Sequence, residues 1–378
     1  MSETLKNIFI IAGESSGDMH AASLIREIKF INPGISFSGI GGPGMRKENT
    51  RLFYDIKEVN FMGFSSVVRN IKKINSILNC CISEIQKINP EAVILVDYPG
   101  FNLRLAKEIR KFYKGKIIYY ISPQLWAWHK SRVKIIRKYI DLMLVVFPFE
   151  VEFYKKEGVK ALYTGHPLVR TIDNFLSETK KIKSDKIQIS ILPGSRKDEI
   201  ERMLPVLIKA ADVFQKKFSC DINVICSTNF EESYYKNFTE GKNFNLIYDR
   251  NNSNLNYTAI LNSDLVITKS GTSTMECALI GTPFCVVYKA GKVNYLIGKK
   301  LVKVEHIAMV NILLNKKAVK EFLQDAMTPE NIFTEGSKIL LDKEYTGAIK
   351  NNFKYLREIL TDKDASKNAA QLIVDFLK

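Results

Sequence analysis

The chain has six cysteines, at positions 80, 81, 220, 226, 277 and 285, yet none forms a CxxC pair, and its four histidines include no closely spaced pair to complete one. That pattern argues against a zinc site and against a disulfide framework, and reduced thiols are the simplest reading. No apolar run reaches the roughly 18 to 20 residues that a membrane-spanning helix requires. The opening MSETLKNIFIIAGES enters a strand-like run without the basic start, long apolar stretch and small-residue cleavage site of a secretory signal. Contact with a membrane is therefore expected to be peripheral and from the cytoplasm. There is no low-complexity segment, no convincing internal repeat and no DxD-like acidic pair at an obvious site, so no metal is called for.

Acid is also in short supply. Asp plus Glu number 40 against 56 Lys plus Arg, a net charge of +16, with the basic residues spread along the chain. An excess of this kind suits an anionic partner, such as a phosphorylated sugar, an anionic lipid or a nucleic acid. A general bias toward Lys, Ile and Asn is an alternative source of the same charge. No nucleic-acid-binding module is recognisable, and nucleic acid is not expected as a partner.

At 378 residues the chain exceeds what one core usually supports, so two domains are expected. Strand-like runs at Asn7 to Ala12, Ser36 to Ile40, Ala92 to Val96 and Lys116 to Ile121 alternate with helical patterns, including one from about His20 to Phe30. A charged stretch from Leu168 to Lys186 reads as irregular. A second series of strands then follows at Ile187 to Leu192, Ile222 to Cys226, Leu246 to Tyr248, Leu265 to Thr268 and Phe284 to Tyr288. Alternation predicts an α/β protein of two doubly wound, Rossmann-like domains facing a central cleft. The expected boundaries are 1–168, 187–345 and a helical tail, 346–378. The chain from about Ala318 onward reads as successive helices, the last of which can pack back on the first domain.

Candidate chemistry sits where strands end. Ala12-Gly13-Glu14-Ser15-Ser16-Gly17-Asp18 forms a small-residue turn entering a helix, suited to an oxyanion or phosphate or, more plainly, to helix capping. Asp97 follows the run AVILV and precedes Tyr98-Pro99-Gly100. It is placed either as a general base for a weakly nucleophilic hydroxyl or as a structural turn residue. In the second half, Gly194, Ser195 and Arg196 end a strand before a helix, where an Arg can grip a diphosphate by two prongs or join a surface ion pair. Gly271, Thr272 and Ser273 form a second turn. Glu276, one turn into the next helix, can accept from ribose hydroxyls or complement the helix dipole.

From Phe61 to Ile88, Val67, Ile71, Ile74, Leu78, Cys81, Ile82 and Ile85 recur at helical spacing, with Arg69, Lys72 and Lys73 off the stripe. A basic amphipathic helix can rest on an anionic membrane or bury its stripe in a domain. With Phe61, Met62 and Phe64 just before it, the segment is read as a lipid contact. Trp126 and Trp128 are the only tryptophans and read as packing anchors, and His129 and His166 have no metal-ligand companions.

Taken in order, AGESSGDMH, GGPGM, MGF, DYPGFNL, SPQLWAWHKSRV, PFE, TGHPL, LPGSR and SGTSTMEC resemble the lipid-A-disaccharide synthase family over nearly the whole chain. That family comprises inverting glycosyltransferases of the two-domain nucleotide-sugar fold, termed GT-B. The resemblance implies transfer of 2,3-diacylglucosamine from its UDP conjugate to the 6-hydroxyl of 2,3-diacylglucosamine 1-phosphate, with a β-1,6 bond formed and UDP released. It implies no cofactor and no metal in the transfer step. Asp97 matches the family's essential Asp. Arg196 and Glu276 match its donor half, together with the turns at Gly194 to Arg196 and Gly271 to Ser273. Glu14, Ser16, Gly17 and Asp18 would face the acceptor. Two departures stand out: Gly100 occupies the place of a frequent second Asp, and Val310-Asn311 replaces a Pro-Asn pair, which makes a cleft role for Asn311 less secure. A UDP-sugar epimerase on the same fold is the competing reading. The expected setting is the inner face of a Gram-negative inner membrane, and an oligomer is compatible with the sequence.

Overall fold

The structure, a computed structural model, describes residues 7–59, 70–127, 130–251, 254–291, 295, 305–361 and 364–378. The chain divides into two compact units, one of residues 1–167 with 363–378 and the other of residues 168–362.

Unit 1 is built on a seven-stranded sheet in the order β3-β2-β1-β4-β5-β6-β7. Its strands are β1 (Asn7–Ala12), β2 (Ser36–Gly41), β3 (Arg51–Asp55), β4 (Ala92–Val96), β5 (Lys116–Tyr120), β6 (Leu142–Val145) and β7 (Ala161–Tyr163). All pairings are parallel. Every residue of β4 is buried because both faces of the sheet are covered, as parallel sheets require. Val93 and Leu95 join the core beneath the helices Ile71–Ile88 and Pro99–Ile109, while Ala92, Ile94 and Val96 join the opposite core. The helix Ser15–Ile31 lines that second core with Ala21, Leu24, Ile25 and Ile28, a spacing that keeps one face inward.

The final helix, Ala365–Leu377, packs on Ser15–Ile31. Its Ala369, Ala370, Ile373 and Val374 complete the second core of unit 1. Asn368 Nδ2 donates to the Thr164 carbonyl at 3.1 Å, which fixes the helix to the end of the same unit. The preceding helix, Lys343–Leu360, belongs to unit 2, so the tail read from sequence as one stretch is shared between the units. Its Ile349, Phe353, Leu356 and Leu360 are buried, and Phe353 stacks on Phe284 of unit 2.

Unit 2 carries a six-stranded parallel sheet in the order β10-β9-β8-β11-β12-β13. The strands are β8 (Ile187–Leu192), β9 (Cys220–Cys226), β10 (Phe244–Tyr248), β11 (Leu265–Lys269), β12 (Phe284–Tyr288) and β13 (Glu321–Leu323).

The structure corrects three sequence expectations. The stretch after Leu168 is not irregular: Pro167–Glu178 is a helix whose Val169, Ile172 and Phe175 are buried at three-residue spacing, a signal masked by its charged tail. The region after Ala318 is not wholly helical, since β13 closes the edge of the second sheet. From Ile74 onward the stripe is not a lipid face; Leu78, Cys81 and Ile85 lie, with Ile77, in the core of unit 1, and Ile74 and Ile82 pack against it. The helix begins at Ile71, which is 52% exposed, and Lys72 and Lys73 beside it are exposed too. Phe61, Met62, Phe64, Val67 and Arg69 fall outside the described residues, as do Trp128 and His129. Among the described residues no helix is long and apolar enough to cross a membrane.

Candidate active site

In each sheet the strand order reverses once, between β1 and β4 in unit 1 and between β8 and β11 in unit 2. Loops leaving adjacent strands on opposite sides of such a point part and leave a crevice beyond the strand ends, where ligands of open α/β sheets bind.

In unit 1, Ala12 and Val96 are register partners, so the Gly13 turn and Asp97 start side by side. A Cβ on Gly13 would lie 2.3 Å from Cδ1 of Tyr98, which explains why a glycine stands there. Asp97 and Tyr98 both adopt positive φ, 45° and 47°. For residues other than glycine that conformation costs about 1–2 kcal/mol each. Hydrogen bonds offset it: Asp97 N donates to the Tyr120 carbonyl at 3.0 Å. The Asp97 carbonyl accepts from Tyr119 Oη at 2.5 Å and from Asn102 Nδ2 at 2.7 Å. Ile121, the residue after β5, is also held at φ 64°. Strain gathered at neighbouring strand ends is typical of functional sites.

Burial, and after it the charge of Glu14, push the Asp97 carboxyl up to about 6, against a backbone N–H of Tyr98 that lowers it. Such a group is a carboxylate at neutral pH and a stronger base than an ordinary aspartate. Glu14 is half-buried, Ser16 is exposed and Gly17 is buried, its virtual Cβ 3.9 Å from the Val96 carbonyl. Of the acceptor candidates, Glu14 and Gly17 thus border the Asp97 crevice.

Asp18 does not serve as a free carboxylate. It is buried, and its oxygens accept from the backbone N–H groups of Gly42 (2.6 Å), Gly44 (2.8 Å) and Met45 (3.1 Å). A Cβ on either Gly42 or Gly44 would come within 2.8 Å of Asp18 Oδ2, so GGPGM is the socket for this side chain. Asn311 is likewise removed from the candidate set. It is fully buried in unit 2, where its amide donates to Val319 O (2.9 Å) and Glu321 Oε1 (2.8 Å) and accepts from Val319 N (3.0 Å).

One polar cluster went unassigned in the sequence reading. Glu150 is fully buried, and its carboxylate accepts from Ser122 Oγ (2.5 Å), Trp126 Nε1 (3.1 Å) and Phe147 N (3.1 Å). Burial pushes its carboxyl up to about 7, opposed by those hydrogen bonds. Trp126 also packs edge-on against Phe149 at 5.0 Å, so the SPQLW loop after β5 is anchored to PFE, consistent with the packing role expected of that indole. The signal was available: Glu150 stands at the third position of its helix, where a side chain reaches back to the backbone N–H before it. His166 is buried against Phe147. Burial, then the charge of His20, lowers His166 to about 3, and burial lowers His20 to about 4, so both imidazoles are neutral.

In unit 2, Leu192 and Thr268 are register partners, which sets the Gly194–Arg196 and Gly271–Ser273 turns next to each other. Gly194 has φ 118° and Gly271 φ 153°, backbone angles that side chains resist. Each turn leads into a helix, Lys197–Lys217 and Thr272–Ile280, whose N-terminal N–H groups favour anions. The Ser273 and Thr268 hydroxyls hydrogen-bond at 2.7 Å and tie helix to strand. Ser195 and Arg196 are exposed. Burial pushes the Glu276 carboxyl up to about 7, opposed by a hydrogen bond from Tyr257 Oη at 3.4 Å.

Two open parallel α/β sheets, each with a glycine turn at its switch point, are the architecture of the GT-B fold. Solved structures bear out the fold: UDP-GlcNAc 2-epimerase from Neisseria meningitidis superposes with a TM-score of 0.63 at 12% identity, covering 98% of this chain and 99% of that one. The glycotransferase of kitacinnamycin does so with 0.64 at 12% identity, covering 99% of each. Identities this low speak for the fold alone. The lipid-A-disaccharide synthetase family matches residues 8–375. The lipid-A-disaccharide synthases of Syntrophus aciditrophicus and Nitrosococcus oceani are 34% and 35% identical, over 99% and 100% of this chain and 98% of each relative. The chain belongs to the lipid-A-disaccharide synthase family and is a glycosyltransferase of lipid A biosynthesis. Its substrates are a nucleotide sugar and an acceptor, and family membership decides against the epimerase reading.

Proposed function

We propose that the enzyme transfers 2,3-diacylglucosamine from UDP to the 6-hydroxyl of 2,3-diacylglucosamine 1-phosphate, with unit 1 holding the acceptor and unit 2 the donor. Asp97 takes the proton of the attacking hydroxyl as its oxygen bonds to the anomeric carbon from the side opposite UDP. The bond from that carbon to the β-phosphate oxygen breaks, and the electron pair leaves with UDP. A positioned base contributes about 10²–10⁴-fold to such a step. Charge building on UDP is met by Arg196 and the backbone N–H groups of the two glycine turns, and ribose hydroxyls donate to Glu276. In this reading the transfer step calls on no metal.

The observation that carries the proposal is Asp97: a desolvated carboxylate, raised to about 6, on a clamped backbone at the switch point of unit 1. Exposed Ile71, Lys72 and Lys73, with the net charge of +16, support peripheral attachment to the anionic cytoplasmic leaflet. The test is incubation of purified protein in detergent, without divalent metal, with both acylated substrates. Equimolar UDP and disaccharide, dependent on the acceptor, are expected. Folded protein that yields neither rejects the substrate assignment, and failure to sediment with anionic vesicles rejects the membrane assignment.

A further inference from the structure

Lys269 is the last residue of β11 and immediately precedes the Ser270-Gly271 turn. Its ammonium lies 3.3 Å from Glu199 Oε2 and 3.4 Å from Glu199 Oε1, and the Arg196 guanidinium lies 3.6 Å from the same carboxylate. One carboxylate therefore faces two cations that come from the turns on either side of the switch point. The two glycines frame this cluster. A Cβ on Gly194 would sit 2.7 Å from Glu199 Oε2, and one on Gly271 would sit 3.3 Å from Lys269 Nζ.

The side chains of Lys269 and Glu199 are only 21% and 14% exposed, whereas that of Arg196 is 67% exposed. Glu199 Oε2 is buried and, among the described residues, accepts no hydrogen bond. Its nearest cation is the Lys269 ammonium at 3.3 Å, and all three contacts, at 3.3, 3.4 and 3.6 Å, are longer than the about 2.7–2.9 Å of a charge-assisted hydrogen bond, a loose arrangement for an ion pair whose purpose is stability.

We propose that Lys269 is a second cation of the diphosphate site and that Glu199 stands in for the diphosphate until a nucleotide arrives. The inference rests on the reading of unit 2 as the donor half. A diphosphate carries more charge than one carboxylate and has several acceptor oxygens. It replaces Glu199 on both cations, with Lys269 binding as a point charge and Arg196 by two prongs. Glu199 competes with the ligand for both groups.

The test is equilibrium binding of UDP and of uridine to the full-length protein and its variants. Lys269→Met is expected to lose about tenfold or more in UDP affinity while uridine binding is unchanged, because only UDP carries the phosphates. Lys269→Arg retains most UDP affinity, and Glu199→Gln binds UDP several-fold more tightly. UDP affinity unchanged in Lys269→Met, or lost there in equal measure with uridine affinity, overturns the role of Lys269. Weaker UDP binding in Glu199→Gln overturns the stand-in role. Wild-type protein that binds neither ligand refutes instead the donor-half reading on which this inference stands.

Discussion

The Tyr119 hydroxyl donates to the backbone carbonyl of Asp97 at 2.5 Å, so a buried phenol on β5 holds the residue that bears the candidate base just beyond β4. Burial and the Asp97 charge push the phenol well above its usual range, which keeps it a donor at any working pH. Tyr119→Phe removes this clamp but leaves the Asn102 hydrogen bond to the same carbonyl. We expect kcat to fall about tenfold with little change in acceptor KM, since small misplacements of a reacting group are costly. A variant with wild-type kcat would show that the carboxylate needs no such support.

Asp97 carries two opposed pH effects. As a base it must be deprotonated, so kcat/KM is expected to rise with pH through about 6, and Asp97→Asn is expected to lose about 10²–10⁴-fold in rate and that limb of the profile. For stability the sign is reversed. The folded-state value lies above the unfolded one, so the folded protein binds the proton more tightly and this group favours folding below about 4, an advantage lost as pH rises through 6. At pH 7 the ionised side chain costs on the order of 3 kcal/mol. Asp97→Asn should therefore unfold at higher urea concentration than wild type at neutral pH, with the difference vanishing in acid. A less stable, inactive variant would mark Asp97 as structural.

Asp18→Asn brings an NH2 group toward three N–H donors at Gly42, Gly44 and Met45. Hydrogen bonds to a charged acceptor contribute about 1.5–3 kcal/mol each. We expect a stability loss of about 3 kcal/mol by urea denaturation, read from the midpoint at constant m-value. Unchanged stability with lost turnover would return Asp18 to the substrate.

Glu276 is raised to about 7 by burial, and in the proposed site it accepts from ribose hydroxyls as a carboxylate. Protonation removes acceptor capacity, so donor KM should climb as pH falls through about 7 while acceptor KM does not follow. Glu276→Gln should show a raised donor KM without this pH dependence. A donor KM that is flat with pH in the wild-type enzyme would remove Glu276 from the nucleotide site.

Much of this was legible in the chain. The runs AVILV and NIFIIA are short, rich in β-branched residues and followed by turn residues, which marks buried strands, and the glycine turns after β1, β8 and β11 mark the points where helices begin. Short strands were harder: Leu142–Val145 and Ala161–Tyr163 are too brief for their periodicity to separate strand from helix. The helix Ile71–Ile88 misled in the opposite sense, because an apolar stripe has the same spacing whether it meets lipid or a neighbouring helix.

The sequence by itself determined the α/β class, the two sheets, the family and the strand ends where chemistry gathers, because these follow from local periodicity, turn residues and ordered motifs. In the sequence Asp97 stands apart as the candidate base, and Asp18 stays among the residues facing the acceptor. Only tertiary structure showed that Asp18 is taken up by backbone donors while Asp97 is not. Asp18 meets three N–H groups from a loop 24 to 27 residues away, whereas Asp97 meets burial and the charge of Glu14. The same holds for Glu150 and for the Arg196, Glu199 and Lys269 cluster, since a side chain's partners and its loss of water come from segments distant in the chain.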